Sequence, residues 1–297
     1  MISILIPTFN CNIFPLVNTL YLQCEKSNID FEILVMDDAS TDKQYLQENL
    51  KINLLRNCKF QTLEKNIGRS AIRNLLAQNA VAESLLFLDA DVMPLRPDFI
   101  DEYISKLNLD AEIICGGITY DGVKPKKNEN LRYIYGVNRE QKSVSKRQNE
   151  SHFIVSANIL ILKKCFLEIN TMLDNLYGDD LVLSSNIKKK QIKVIHIDNP
   201  VIHYGLEDNG KFIKKALQAV ETIVTLEKKA FLENDIMPIQ NAFIKLKKYH
   251  LLKSFSFIVS RFRKTMERNF NSENPNLFWF DLYRLNYYIQ LKKEQNA

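Results

Sequence analysis

Apolar positions along this chain gather into short dense runs, separated by stretches whose apolar residues recur at helical spacing. Ile2-Ser3-Ile4-Leu5-Ile6-Pro7 reads as a first strand, with Thr8-Phe9-Asn10 as the loop after it. Residues 15–26 fit a helix. Phe31 to Met36 is a second strand. It ends at Asp37-Asp38-Ala39-Ser40-Thr41-Asp42, where Ser40 or Thr41 can cap the next helix. A strand is expected near Cys58-Lys59-Phe60. Arg69 to Ala80 is helical in pattern, with Ile72, Leu75 and Leu76 on one face, and Leu85 to Leu88 is the next strand. Strands alternating with helices at this spacing predict an α/β fold with a mostly parallel, Rossmann-like sheet.

The middle of the chain is less regular. One strand is expected over Ile113–Tyr120. The polar stretch 121–147, which contains Lys124-Pro125-Lys126-Lys127, reads as a mobile loop over a site. Phe153 to Leu162 is apolar enough to hold a strand. Leu181 to Lys190 suits a helix with Asp179 and Asp180 at its start and three lysines at its end, a charge order that complements the helix dipole. Val194 to Ile197 is a further short strand. After Asn209-Gly210 the chain turns helical, with Ile213, Leu217, Val220 and Val224 in phase.

Composition adds limits. With 297 residues, 46% hydrophobic and 25% charged, the chain suits one large globular domain or two smaller ones. No apolar run approaches the roughly 18 residues needed to span a bilayer. Met1 to Pro7 reads directly as a strand with no basic leader, so no signal peptide is expected. The five cysteines show no close pairing and point to reduced thiols in a cytoplasmic protein. Net charge is +5, but residues 243–297 hold eleven Lys/Arg against four Asp/Glu, which leaves the rest slightly acidic. The basic excess is therefore a surface-association signal and not an active-site field, and no nucleic-acid partner is expected.

The candidate chemistry starts at Leu85-Leu86-Phe87-Leu88-Asp89-Ala90-Asp91. Residues two apart on a strand share a face, so Asp89 and Asp91 project together from its end. Two carboxylates there suit a hard divalent cation that can hold phosphates, and equally a phosphoryl-accepting nucleophile. Asp38, also at a strand end, can accept from the N3–H of a uracil or thymine ring or from a ribose hydroxyl. It can also be no more than a helix N-terminal acid. Arg69 and Arg73 lie four apart on one helical face and can meet a diphosphate, or simply face solvent.

Four loop motifs follow in order: Pro7-Thr8-Phe9-Asn10, Asp37 to Asp42, Asn66-Ile67-Gly68-Arg69 with Arg73-Asn74, and Asp89-Ala90-Asp91. Together they closely resemble the nucleotide-sugar-binding half of a family 2 glycosyltransferase of the GT-A fold. The resemblance extends through Tyr177-Gly178-Asp179-Asp180 and Asn199-Pro200-Val201-Ile202-His203, and covers about residues 1–210. It implies a donor-binding set of Thr8, Asp38, Asn66, Arg69, Arg73 and Asp89. In that set Asp38 reads the base, Arg73 is the better match for the diphosphate, and Asp89 faces the ribose or a metal-bound water. It further implies Mn²⁺ or Mg²⁺ held by Asp91 and His203, with Asp180 as general base beside Asp179. The family commonly has Glu-Asp at that pair, so Asp179 is one methylene short. The resemblance thus points to an inverting, metal-dependent transferase of a nucleotide-diphospho sugar, UDP-sugars favoured, to a saccharide or lipid-linked acceptor in surface-polysaccharide or lipopolysaccharide synthesis.

The expected organisation is a catalytic domain over 1–210, divided near residue 110 into nucleotide- and acceptor-binding halves, and a helical extension over 211–297. Residues 241–268 mix aromatic and aliphatic positions with eight Lys/Arg and one acid, Glu267. That pattern suits a basic amphipathic helix on the anionic inner face of the plasma membrane, or a helical subdomain showing its cations to solvent. The aromatic run 275–288 is expected to pack on the preceding helices or on another subunit. Three rivals come from other classes. Leu85–Val92 fits the first motif of haloacid-dehalogenase-type phosphatases, with Asp89 as nucleophile, but that family places the motif on its first strand. A nucleotidyltransferase would need a glycine-rich loop that Thr8-Phe9-Asn10-Cys11-Asn12 lacks. A catalytically inactive sugar-nucleotide-binding protein would be expected to have lost one or more of the acids, and all are present.

Overall fold

In the computed structural model, which describes residues 1–171, 180–233 and 235–295, the strands are β1 (Ile2–Thr8), β2 (Phe31–Asp37), β3 (Cys58–Thr62), β4 (Ser84–Leu88), β5 (Val92–Pro94), β6 (Ile113–Cys115), β7 (Ile118–Thr119), β8 (Asn158–Leu162), β9 (Val194–His196) and β10 (Val201–His203). The helices are α1 (Phe14–Ser27), α2 (Lys43–Leu50), α3 (Arg69–Asn79), α4 (Phe99–Ile104), α5 (Asn130–Tyr135), α6 (Val144–Asn149), α7 (Lys163–Ile169), α8 (Asp180–Lys190), α9 (Asn209–Lys228), α10 (Pro238–Lys248), α11 (Leu252–Phe270) and α12 (Leu277–Glu294). They form two units. One comprises Met1–Val123 with Glu140–Gly205; the other comprises Lys124–Arg139 with the chain from Leu206 onward.

The first unit is built on a seven-stranded sheet ordered β3-β2-β1-β4-β8-β6-β9. Only β8 runs against the others. Strand β1 is buried at Ile2, Ile4, Leu5 and Ile6 alike, as a strand covered on both faces must be. Within it Ser3, polar and fully buried, donates to Glu32 and accepts from the Ala82 amide. One face of the sheet packs Leu5, Leu85 and Phe87 against Ile72 and Leu76 of α3 and Phe166 of α7. Phe87 and Phe166 meet with ring centroids 4.5 Å apart. Because β2 lies on one side of β1 and β4 on the other, the carboxyl ends of β1 and β4 flank a topological switch point, where open α/β sheets bind ligands. A second, three-stranded sheet, β5-β10-β7, pairs β10 antiparallel to β5 and parallel to β7.

Three expectations from the pattern are corrected. The stretch Ile113–Tyr120 is not one strand: it breaks at Gly116-Gly117 into β6 and β7, which belong to different sheets. Gly117 has φ +85, and a Cβ on Gly116 would collide with Asn158, the Asn199 carbonyl and the Tyr103 hydroxyl. The polar stretch 121–147 is not an open loop. It holds α5, a π-helical turn over Gly136–Glu140, and α6, with Leu131 fully buried. The basic segment 241–268 is not one helix. It is α10 and α11, separated by a turn in which His250 takes φ 56.

In the second unit, Leu131 of α5, Phe212 and Ala216 of α9, Val259, Met266 and Phe270 of α11, and Phe280 of α12 form one apolar cluster. The aromatic run 275–288 is thus spent partly inside this unit, with Phe280 edge-on to Phe270 at 5.3 Å. Among the described residues no helix is long and apolar enough to cross a membrane.

Candidate active site

Thr8 closes β1. Its side chain is buried, its carbonyl accepts from the Asp38 amide at 2.8 Å, and its Oγ1 has no partner among the described residues. Asp37 and Asp38 at the end of β2 do different work. Asp37 folds the loop back on itself, accepting from the Ser40 amide at 2.8 Å and from the Ser40 hydroxyl. Asp38 reaches across to the start of α3. Its two oxygens accept from the Ile67 amide at 2.7 Å and the Gly68 amide at 3.0 Å, while its carbonyl accepts from Asn66 Nδ2 at 3.0 Å. These satisfy two backbone donors at a helix start whose N-cap, Gly68 with φ 87, has no side chain to do so. Asn10, itself at φ 48, ties the β1 loop to the β2 loop by accepting from the Thr41 and Asp42 amides at 2.9 and 3.1 Å.

Arg69 and Arg73, one turn apart on α3, converge on Asp89 just past β4. Arg73 meets Asp89 Oδ1 at 2.5 Å and Arg69 meets Oδ2 at 2.9 Å. Both guanidiniums also donate to Ser156 Oγ, at 3.1 and 3.3 Å. Arg73 is 5% exposed and Arg69 44%, so one is an interior prop and the other faces solvent. Burial alone would push the Asp89 carboxyl up. The charges of Arg69 and Arg73 outweigh it and hold the group below the usual carboxylate range. Ser156 was not anticipated. It precedes β8, and the antiparallel pairing of β8 with β4 brings it beside Asp89. Its only signal in the sequence is a hydroxyl in a largely apolar run.

Asp91 lies two residues on, with its side chain 44% exposed. The chain then enters β5, and the β5–β10 register sets His203 opposite Val92. This puts His203 Nε2 3.5 Å from Asp91 Oδ2, while the Tyr204 amide donates to the Asp91 carbonyl at 2.9 Å. Gly205 makes room for the pair, since a Cβ there would sit on the Asp91 carboxylate. The Tyr120 ring packs against the imidazole at 5.4 Å. A half-exposed carboxylate beside a largely buried imidazole suits a divalent ion such as Mn²⁺. They supply two ligands only: no group of three or more His, Cys, Asp or Glu able to hold a metal occurs among the described residues. The donor set therefore fits an ion that takes its remaining ligands from elsewhere. His203 Nδ1 is buried and has no partner among the described residues, so the imidazole is held by packing and not by the second hydrogen bond common at metal sites.

Asp180 is the first residue of α8 and is partly exposed. Asp179, with Tyr177 and Gly178, lies outside the described residues. Thus Thr8, Asp38, Asn66, Arg69, Arg73 and Asp89 gather at the carboxyl edge of β1, β2 and β4, and Asp91 meets His203 there. All five cysteines are free, and burial pushes the Cys115 thiol up to about 12.

The sequence model of the family described as Glycosyl transferase family 2 matches residues 3–169. The poly(ribitol-phosphate) beta-N-acetylglucosaminyltransferase TarS of Staphylococcus aureus is 35% identical over 116 residues, which is 36% of this chain and 20% of that protein. This chain's match thus spans about a fifth of that relative's length. Among solved structures, the mannosyltransferase PcManGT from Pyrobaculum calidifontis, in complex with GDP-Man and Mn²⁺, aligns with a TM-score of 0.61 at 14% identity, covering 99% of this chain and 86% of that one. The S. aureus TarS 1–349 complex with UDP-GlcNAc aligns at 0.54 and 16% identity, covering 99% and 91%.

Proposed function

The chain belongs to glycosyl transferase family 2 and has the GT-A fold, and from that premise we propose that it moves a sugar from a nucleotide-diphospho donor, a UDP-sugar by preference, to a hydroxyl of a saccharide or lipid-linked acceptor, with inversion at the anomeric carbon. We place this activity in surface-polysaccharide or lipopolysaccharide assembly. The observation that carries the reading is the Asp91–His203 pair standing beside the Arg69–Arg73–Asp89 cluster at the switch point of the sheet. PcManGT was solved with a nucleotide sugar and Mn²⁺, and TarS with UDP-GlcNAc, which supports a sugar-nucleotide donor here.

In this reading Asp91 and His203 hold Mn²⁺ or Mg²⁺, which supplies positive charge to the diphosphate as it leaves. Thr8, whose hydroxyl has no partner among the described residues, and Asp38 border the base and ribose. Asp38 already accepts two amides, so any contact with the base uses the remaining lone pairs of a carboxylate fixed in place. The resemblance gives the diphosphate first to Arg73, but Arg73 is buried against Asp89; in this reading Arg69, the more exposed guanidinium, turns toward the diphosphate while Arg73 keeps Asp89 in position. The acceptor hydroxyl attacks the anomeric carbon opposite the phosphate. The new carbon–oxygen bond forms as the bond to phosphate breaks, the hydroxyl proton passes to Asp180, and the nucleoside diphosphate departs with the bonding pair. Asp89 is ill placed to act as a phosphatase nucleophile, because each of its oxygens is held by an arginine.

The test uses purified protein, a panel of UDP-, dTDP-, GDP- and CDP-sugars, and Mn²⁺ or Mg²⁺. A donor at about a hundred times its dissociation constant should add roughly 2.7 kcal/mol of stability, visible as a thermal shift. Asp91→Asn should lose the metal-dependent part of that shift. Asp180→Asn should keep the shift and lose transfer by at least about a hundredfold. Full transfer by Asp180→Asn would remove the base assignment, and a shift with sugar phosphates alone would favour a phosphatase.

A further inference from the structure

The outer face of α11 carries apolar side chains that the core of its unit does not use. Val259, Met266 and Phe270 fill the interior cluster. Leu251, Ile258 and Phe262 fall together on a neighbouring strip of the helix and are 47, 56 and 54% exposed. Phe257 is 74% exposed and stands among Lys253, Arg261 and Lys264, at four and seven residues along the same face. Around this strip the charge is of one sign. Between Lys245 and Arg268 there are eight Lys/Arg and a single acid, Glu267. That acid is already engaged by Arg263 at 2.8 Å and the Tyr283 hydroxyl at 2.9 Å.

An exposed apolar strip bordered by cations, of which Lys253, Arg261 and Lys264 make no ion pair with an acid among the described residues, fits a surface that is apolar beneath and anionic above. A second copy of the chain does not fit, since it would bring eight more cations against these. The strip cannot span a bilayer: α11 is long enough but carries too many charges to be apolar enough. We propose that α11, with the basic end of α10, lies along an anionic phospholipid surface. Phe257, Ile258 and Phe262 enter below the headgroups, and Lys253, Arg261 and Lys264 reach lipid phosphates. This rests on the helical unit alone and does not depend on what the catalytic unit transfers.

The experiment is co-sedimentation of the full chain with phosphatidylcholine vesicles, with and without phosphatidylglycerol. The chain should sediment with the anionic vesicles and stay in solution with the neutral ones, and high salt should release it. Phe257→Ser/Ile258→Ser/Phe262→Ser and Lys253→Gln/Arg261→Gln/Lys264→Gln should each lower the bound fraction on the order of tenfold. Both triple variants should keep the wild-type circular dichroism and thermal transition, and unchanged transfer to a soluble acceptor. Equal binding to neutral and anionic vesicles, or full binding by either variant, would overturn the proposal. So would a concentration-dependent dimer in sedimentation velocity that the apolar variant abolishes while vesicle binding is absent throughout.

Discussion

At the scale of single residues, two arginines that look alike in the sequence carry unequal weight. Arg73 is enclosed with Asp89 and Ser156, so truncating it leaves a carboxylate in a poorly solvated place with half its compensation gone. Arg69 meets the same carboxylate from solvent. In urea denaturation Arg73→Ala should cost about 3 kcal/mol. Arg69→Ala should cost less than about 1 kcal/mol, with its larger effect on donor affinity. Equal stability losses would mean that Asp89 does not depend on the buried guanidinium. Gly205 gives a second test at this scale. Its backbone is open to any residue, so Gly205→Ala should fold normally, yet its methyl group must displace the Asp91 carboxylate. Mn²⁺ affinity, read by titration calorimetry with nucleoside diphosphate present, should fall about ten- to a hundredfold. An unchanged affinity would remove Asp91 as a ligand.

Among the elements, β9 and α6 are joined by groups with one allowed protonation pattern. Arg147 donates to His196 Nδ1 at 3.0 Å, and His196 Nε2–H donates to the Ser151 carbonyl at 3.3 Å. Gln148 bonds the β9 backbone at both ends, to the His196 amide and the Val194 carbonyl. A proton on Nδ1 would face the guanidinium. Burial, and secondarily the Arg147 charge, push His196 down to about 4, with the Ser151 carbonyl opposing. The unfolded chain then takes up this proton near its ordinary value of about 6.5 and the folded chain does not. The stability is complete above that pH and declines as pH falls toward 4, with about 2 kcal/mol lost between pH 7 and pH 5. Urea midpoints at pH 7 and pH 5 should show the loss, and His196→Gln should flatten it. These joints also explain what the sequence could reveal of the elements. The runs of β1, β2 and β4 and the period of α3 are long enough to read, and each ends on a polar motif. Strands β5, β7 and β10 have two or three residues each and exist because distant partners complete their pairing. No local period could announce them, so the approach of His203 to Asp91 could be expected only from the resemblance to a family. The break at Gly116-Gly117 is hidden for the opposite reason: its apolar neighbours look continuous, and it is the positive φ of Gly117 and the crowding of Gly116 by Asn158, Asn199 and Tyr103 that demand it.

For the whole molecule, the helical unit is assembled from two parts of the chain, and Leu131 shows how closely they depend on each other. It is fully buried among residues of α9, α11 and α12 that come at least 80 positions later. Leu131→Ala should destabilise that unit by about 2–5 kcal/mol, as a deep core truncation does. Hydrogen exchange should report the change in α9 and α12 as well as in α5; protection lost in α5 alone would mean the cluster is not one cooperative core. The same divided origin sets an order of events during synthesis. Between the emergence of Tyr135 and that of Asn209 the ribosome adds the rest of the sheet, which takes about 4–15 s at 5–20 residues per second. Throughout that interval α5 has no neighbours to bury Leu131 and Tyr135. The nascent chain therefore carries a short sticky segment in the middle of an otherwise maturing domain, a natural stopping place for a chaperone.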